Sequence, residues 1–254
     1  MSAKTANAAH VTVVAGDRAF RPVNEEVRAA LEAGAGTVEL SDVHGLRYIG
    51  CGLTCRGRIV VHGVPGNDLA AFMDGPEIEV LGNAQDAVGN TMNAGRVVIH
   101  GDAGDVLAHS MRGGTILVQG AVGYRAGIHM KSYKEKRPVV IIGGSAGDYL
   151  GEYMAGGLLI VLGLNRQRGL PISGIYTGTG MHGGAMILGD HLDPRSLGRE
   201  VGESPLTPED QADLRRYVGE YVAAFGVNAE EILARPFVKY LPVSRRPYGQ
   251  IYVY

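Results

Sequence analysis

The chain has 254 residues, 45% of them hydrophobic, with 39 glycines, no tryptophan and a formal net charge of −2. That even charge balance predicts no nucleic acid and no membrane surface as partner, and no run reaches the roughly 18 apolar residues of a spanning helix. Two cysteines, Cys51 and Cys55, are too few for a disulfide framework or a four-ligand zinc site. With no apolar leader, the expectation is a cytoplasmic protein.

The predicted elements fall into three segments. In residues 1–56 a strand at 11–14 (VTVV) precedes a short helix. Asn24 is its expected cap, Glu25 and Glu26 lie in its first turn, Val27 and Leu31 share a face, and Gly34 and Gly36 end it. Residues 38–43 (VELSDV) and 46–49 (LRYI) read as strands around a turn at His44-Gly45, a first coil of atypical sequence.

Residues 57–190 repeat. Met73, Met92, Met111, Met130, Met154 and Met181 are spaced 19, 19, 19, 24 and 27 apart. A short apolar strand ending in glycine runs beside them, at Gly63, Gly82, Gly101, Gly120, Gly144, Gly163 and Gly189. Each unit reads as a strand, a Gly-x-x-Gly-Asp turn, a second extended run ending in methionine, and a Gly-Gly corner. A unit of 19 residues is too short for a strand–helix–strand crossover. Val and Ile in the strand slots and recurrent glycine count against paired helices. The fold that stacks such units is a right-handed parallel β-helix, mainly β, with a short N-terminal α/β segment and a C-terminal helical cap. Two polar insertions, residues 132–136 (SYKEK) and 165–171 (NRQRGLP), should bulge from the stack.

Residues 191–254 change character. Thr207-Pro208-Glu209-Asp210 is a helix start. Leu214, Tyr217, Val218, Tyr221, Val222 and Phe225 follow at helical spacing, Gly226 stops the helix, and Asn228 starts a second one through Leu233. The helix is expected to close the open end of the stack, ahead of an extended aromatic tail.

The repeat disarms the motifs that look catalytic. Gly143-Gly-Ser145-Ala-Gly147 matches a hydrolase nucleophile elbow, which needs a following helix; here half a coil follows, and Asp102 stands in the Ser145 place two units earlier. Gly178-Thr-Gly180-Met-His-Gly183 matches a dinucleotide fingerprint, but a strand rather than a helix comes next. His62 and His100 share a position two coils apart, too far for one metal. His109, His129 and His182 sit at different offsets from the methionines and are expected to point different ways. Asp86, Asp105 and Asp148 read as turn-capping carboxylates. No catalytic, cofactor-binding or metal-ligating residue is assigned; the glycine and methionine columns are structural.

The stretches 66–75 (GNDLAAFMDG), 82–101 (GNAQDAVGNTMNAGRVVIHG), 101–114 (GDAGDVLAHSMRGG), 123–131 (GYRAGIHMK), 147–157 (GDYLGEYMAGG), 178–184 (GTGMHGG) and 237–242 (FVKYLP) resemble the C-terminal GXGXG domain of the glutamate synthase large subunit. That resemblance implies a non-catalytic β-helix scaffold of a glutamine-dependent glutamate synthase-like enzyme, standing alone where the large subunit carries further domains. It implies as partners a glutaminase-type amidotransferase subunit and a synthase subunit bearing flavin and iron–sulfur centres, with no cofactor on this chain. A related alternative is the β-helix scaffold subunit of formylmethanofuran dehydrogenase or of a formyltransferase/hydrolase complex. A hydrolase acting through Ser145 is the alternative from another class.

If the methionines fill a stacked interior, Met111→Asp leaves a buried carboxylate without a partner and should unfold the chain. An unchanged Tm would refute that register.

Overall fold

The computed structural model describes residues 9–166 and 169–243. The chain begins with β1 (His10–Val14), α1 (Phe20–Glu32) and β2 (Thr37–His44). The repeat supplies β3 (Arg58–Val64), β4 (Asp74–Val80), β5 (Ala94–Ile99), β6 (Thr115–Val118), β7 (Val139–Ile142), β8 (Ala155–Val161) and β9 (Gly183–Leu188). β10 (Val201–Ser204), α2 (Pro208–Phe225), α3 (Ala229–Leu233) and β11 (Val238–Pro242) complete it. All eleven strands form one sheet in the order β1-β2-β3-β4-β5-β6-β7-β8-β9-β11-β10. The pairs from β1 to β9 are parallel, so the chain is the expected parallel β-helix, and the three sequence segments are stitched into one sheet.

Register holds the coils together. Val38, Ile59, Ile78, Val97, Ile116, Val140, Leu159 and Met186 are successive partners across eight strands, and all are fully buried. Neither insertion disturbs it. The first folds out as a tight loop in which Tyr133 and Lys136 exchange backbone bonds of 3.0 Å. The second lies partly outside the described residues, at 167 and 168.

A second side of each coil pairs at single residues, Ala84 with Ala103, then Val122, Ala146 and Ser173. The third side differs from expectation. The run before each methionine is not an extended strand but a string of turns with positive φ at every second residue: 68, 70 and 72; 87, 89 and 91; 106, 108 and 110; 125, 127 and 129; 149, 151 and 153; 176, 178 and 180. Residues of positive φ thus alternate with residues of ordinary φ along each run. They aim amides alternately up and down the stack: Val106 N donates to Tyr124 O (2.7 Å) and Ala108 N to Val88 O (2.7 Å). The conformation costs strain at each non-glycine residue, and the paired backbone groups of the neighbouring coils offset it. The predicted strand at 46–49 is the first such run, with Tyr48, Gly50 and Gly52 at positive φ. Its buried residues, Leu46 and Ile49, are three apart rather than alternating.

Glycine is required where a neighbouring coil touches the backbone. The Asp102 carboxylate accepts from Ala121 N at 2.7 Å, which places its oxygen 2.0 Å from where a Gly120 Cβ would stand. Asp105 does the same beneath Gly123 and bonds Tyr124 N at 2.8 Å.

Two helix expectations shift. α1 starts at Phe20 with Ala19 as its cap, Pro22 lying in the first turn where no intrahelical amide is needed. Asn24 is inside the helix, and its amide donates to Arg47 O (2.8 Å). α2 has the predicted capping box of Thr207 and Asp210 and the left-handed stop at Gly226 (φ 67°), but it does not close the end of the stack. Leu214, Tyr217, Val218 and Tyr221 pack on the outer face of the sheet against Leu117, Ile141, Ile160 and Ile187. The reason lies in those strands. Outward positions are mostly charged in the early coils (Glu39, Arg58, Glu77, Glu79 and Arg96, with Val60 and Val98 among them) and apolar in the later ones, so the later coils need a cover worth about 1.5–3 kcal/mol per large apolar side chain.

Gly120→Ala should therefore destabilise by about 1–3 kcal/mol, since the methyl meets a carboxylate that cannot move without losing its own bond. Gly219→Ala, in mid-helix with open space around it, should stabilise by about 0.5–1 kcal/mol. Urea melts of the two variants check both signs.

Candidate functional site

The column residues are interior or corner residues. All six repeat methionines are fully buried, each directly after a turn run, and Leu53 holds the same place in the first coil. A Cβ on any of Gly63, Gly82, Gly101, Gly120, Gly144, Gly163 or Gly189 would come within 3.2 Å of a neighbouring atom. Asp86, Asp105 and Asp148 accept from Asp105 N, Tyr124 N and Ile175 N at 2.8–2.9 Å, so they join successive coils rather than capping their own turn. Asn83 and Asp102 form a second ladder of this kind, hidden in the sequence because its residue type varies.

The motif residues separate. Ser145 gives its carbonyl to Val122 N (2.9 Å), and its hydroxyl bonds no side chain among the described residues. A turn run, not a helix, follows it, so no nucleophile elbow is built. Gly178 and Gly180 also belong to a turn run, and β9 follows. His62 meets the Glu39 carboxylate and His100 that of Glu79 (2.8 Å) on the charged outer face of the sheet. Burial would raise the Glu79 pKa, but hydrogen bonds from His100 and Arg58 overcome it and hold the carboxyl below its ordinary value. His182 Nδ1 lies 3.1 Å from Gly180 O. Cys51 and Cys55 are free and half-buried; burial, then the Asp68 charge, pushes the Cys51 thiol up.

What the fold does assemble is a stripe on the outward side of the turn runs. Asn90 Nδ2 donates to Asp68 Oδ1 (3.1 Å), and Asn90 Oδ1 faces His109 Nδ1 (3.2 Å). An amide oxygen only accepts, so this contact puts the neutral His109 proton on Nδ1 and leaves Nε2 as an acceptor. Burial, with the nearby His129 charge, holds the His109 pKa below its ordinary value, against the opposing pull of Asp68. His109 and His129 therefore converge rather than pointing apart, with ring centroids 6.0 Å from each other, and His129 stacks on Tyr153 at 5.3 Å. Their offsets from the methionine differ by one residue, and both offsets face outward. Between the same two coils as the His129–Tyr153 stack, Arg125 Nε donates to Glu152 Oε2 (3.0 Å) while its guanidinium covers Tyr149 at 4.4 Å. Tyr149 stacks on Tyr176 at 5.0 Å. Phe72 and Tyr176 stand exposed on these runs, and Tyr124 and Ile175 stand exposed directly before two of them. Chemically the stripe offers aromatic faces, a guanidinium and a fixed imidazole acceptor, and among the described residues no hydroxyl or thiol on it bonds a base.

Comparison with known proteins gives three findings. The GXGXG motif family matches residues 32–243. An uncharacterized protein of Methanocaldococcus jannaschii is 42% identical over 250 residues, covering 95% of this chain and 96% of that protein. A chain in the crystal structure of the formyltransferase/hydrolase complex from Methylorubrum extorquens, solved with methylofuran, superposes with a TM-score of 0.59 at 23% identity. That superposition covers 79% of this chain and 71% of the other, and at this identity it shows a shared fold.

The stripe predicts how His109 titrates. By NMR, the His109 ring should titrate below 6.5, the ordinary histidine value. Asp68→Asn should lower it further and His129→Gln should raise it. A His109 midpoint unmoved by both changes would show that the rings do not sense each other.

Proposed function

Because the chain belongs to the GXGXG motif family, we propose that it is a non-catalytic scaffold subunit of a multi-subunit enzyme. The observation that carries this is the split between a continuous, methionine-filled interior and an outward stripe of recognition chemistry without a reacting pair. A rigid coil of this kind presents fixed side chains to neighbours at regular height along its axis.

Two readings name the neighbours. In the first, the complex is a glutamine-dependent glutamate synthase-like enzyme, with a glutaminase-type subunit and a flavin and iron–sulfur subunit as partners. The redox centres belong to those chains, since the two cysteines here are too few for a cluster. The repeat stretches that resemble the glutamate synthase domain, and the 237–242 segment with them, support it. In the second, the complex is of the formyltransferase/hydrolase type. The likeness in fold to a chain of such a complex, over 79% of this chain, favours this second reading.

Native affinity purification followed by mass spectrometry decides between them. A glutaminase-type chain and a flavin-bearing chain in fixed ratio are the result expected of the first reading, formyl-transferring or metal-dependent hydrolase chains that of the second. Elution of this chain alone from gentle, low-salt extracts would overturn the scaffold proposal.

A further inference from the structure

The first insertion and the corner beneath it carry a charge arrangement that the scaffold reading does not use. Arg112 and Lys131 directly follow Met111 and Met130, so they occupy the same place in adjacent coils, their amides donating to Met92 O (2.8 Å) and Met111 O (3.0 Å). Stacked coils stand about 4.8 Å apart, which puts two cationic side chains on one corner with no carboxylate between them. The Arg112 Nε is buried and has no hydrogen-bond partner among the described residues. Lys134 adds a third cation, at the tip of the 132–136 loop in the left-handed region (φ 55°), its ammonium 5.4 Å from the Tyr133 ring.

The loop is fixed in this position. Ser132 Oγ accepts from Gly157 N (3.1 Å). Lys136 crosses Gly113, its Cβ 3.1 Å from where a glycine Cβ would be, and its ammonium reaches Asp74 Oδ1 at 3.0 Å. Arg137 is taken by Asp213 at 2.5 Å. Asp74 and Asp213 are therefore spent on Lys136 and Arg137. Arg112, Lys131 and Lys134 form no ion pair among the described residues, and Glu135, next to Lys134 in the loop, is exposed.

We propose that this basic corner is a docking site for an acidic segment of a partner subunit. Three cations spaced along the coil axis and out to a loop tip match a row of separate carboxylates on an extended segment better than one compact anion. Uncompensated like charges on a rigid corner also destabilise the free chain, so an acidic partner gains the relief of that repulsion as well as its own attraction. The inference rests on the scaffold reading and names the chemistry of one contact within it.

The test uses the full chain and immobilised poly-L-glutamate. The wild type should bind at low salt, and the combined Arg112→Gln, Lys131→Gln, Lys134→Gln variant should bind about tenfold more weakly. A control losing the same charge elsewhere, Arg21→Gln, Arg56→Gln, Arg199→Gln, should lose less than about twofold. Equal losses in variant and control, or no binding by the wild type, would overturn the proposal. The variant should keep or raise its Tm, because it loses repulsion and no ion pair; if it fails to fold, the Lys131→Gln, Lys134→Gln pair, both exposed, replaces it under the same criterion. Poly-glutamate needs no native partner, so failure here strikes only the basic corner, whereas elution alone from cell extract strikes the scaffold reading itself.

Discussion

Every feature of this chain answers one constraint: each coil must reproduce the path of the last at a separation of about 4.8 Å. Backbone pairing between coils supplies the attraction, and nothing bulkier than a hydrogen fits where a carboxylate from one coil reaches the amide of the next. The Asp102–Ala121 and Asp105–Tyr124 bonds explain why glycine marks the corners at Gly120 and Gly123. They also explain why aspartate or asparagine recurs on a 19-residue spacing: the acceptor has to be short enough to lie flat between coils. The interior methionines meet the same demand differently, since an unbranched thioether adapts to neighbours above and below without a fixed shape.

The outer surface divides by what lies over it. On the sheet face of the early coils, Arg58, Glu79 and His100 compensate one another and need no cover. Over the later coils the face turns apolar and α2 covers it, Tyr221 donating to Gln119 O (3.0 Å) at the boundary. His100 stands at this junction, its ring against Phe225 (5.2 Å) while it pairs with Glu79. The side carrying the turn runs has no such cover among the described residues. Its residues instead satisfy one another sideways, coil to coil, through Asp68, Asn90 and His109 and through Arg125, Glu152 and Tyr149.

The fold was legible in the sequence because the two columns report the same vertical stacking, and stacking alone determines a β-helix. The path within a coil was less legible. The run before each methionine has the polar and apolar mixture of a short strand, and only its tolerance for glycine at alternate places (Gly89, Gly127, Gly151, Gly178) hints at left-handed residues. The placement of α2 was readable in principle from the outward positions of the strands, where Glu39 and Glu79 give way to Leu117 and Ile141. That pattern appears only once inward and outward positions are known, and short apolar strands conceal them. The stripe was the hardest to see: its members come from different offsets in different coils, and single residues at shifting offsets look like unrelated histidines and tyrosines.

The last strand reverses direction. β11 pairs antiparallel with β9, matching Tyr240 to Met186, and β10 then pairs antiparallel with β11. A coil built by parallel addition has no intrinsic length; each finished turn is a template for another, whether from the same chain or from a different molecule. One strand running the wrong way, β11, spoils that template at the C-terminal end, because it occupies the free edge of β9 where the next parallel turn would pair. The reversal is thus a full stop, making a finite particle out of a shape that would otherwise extend as a filament.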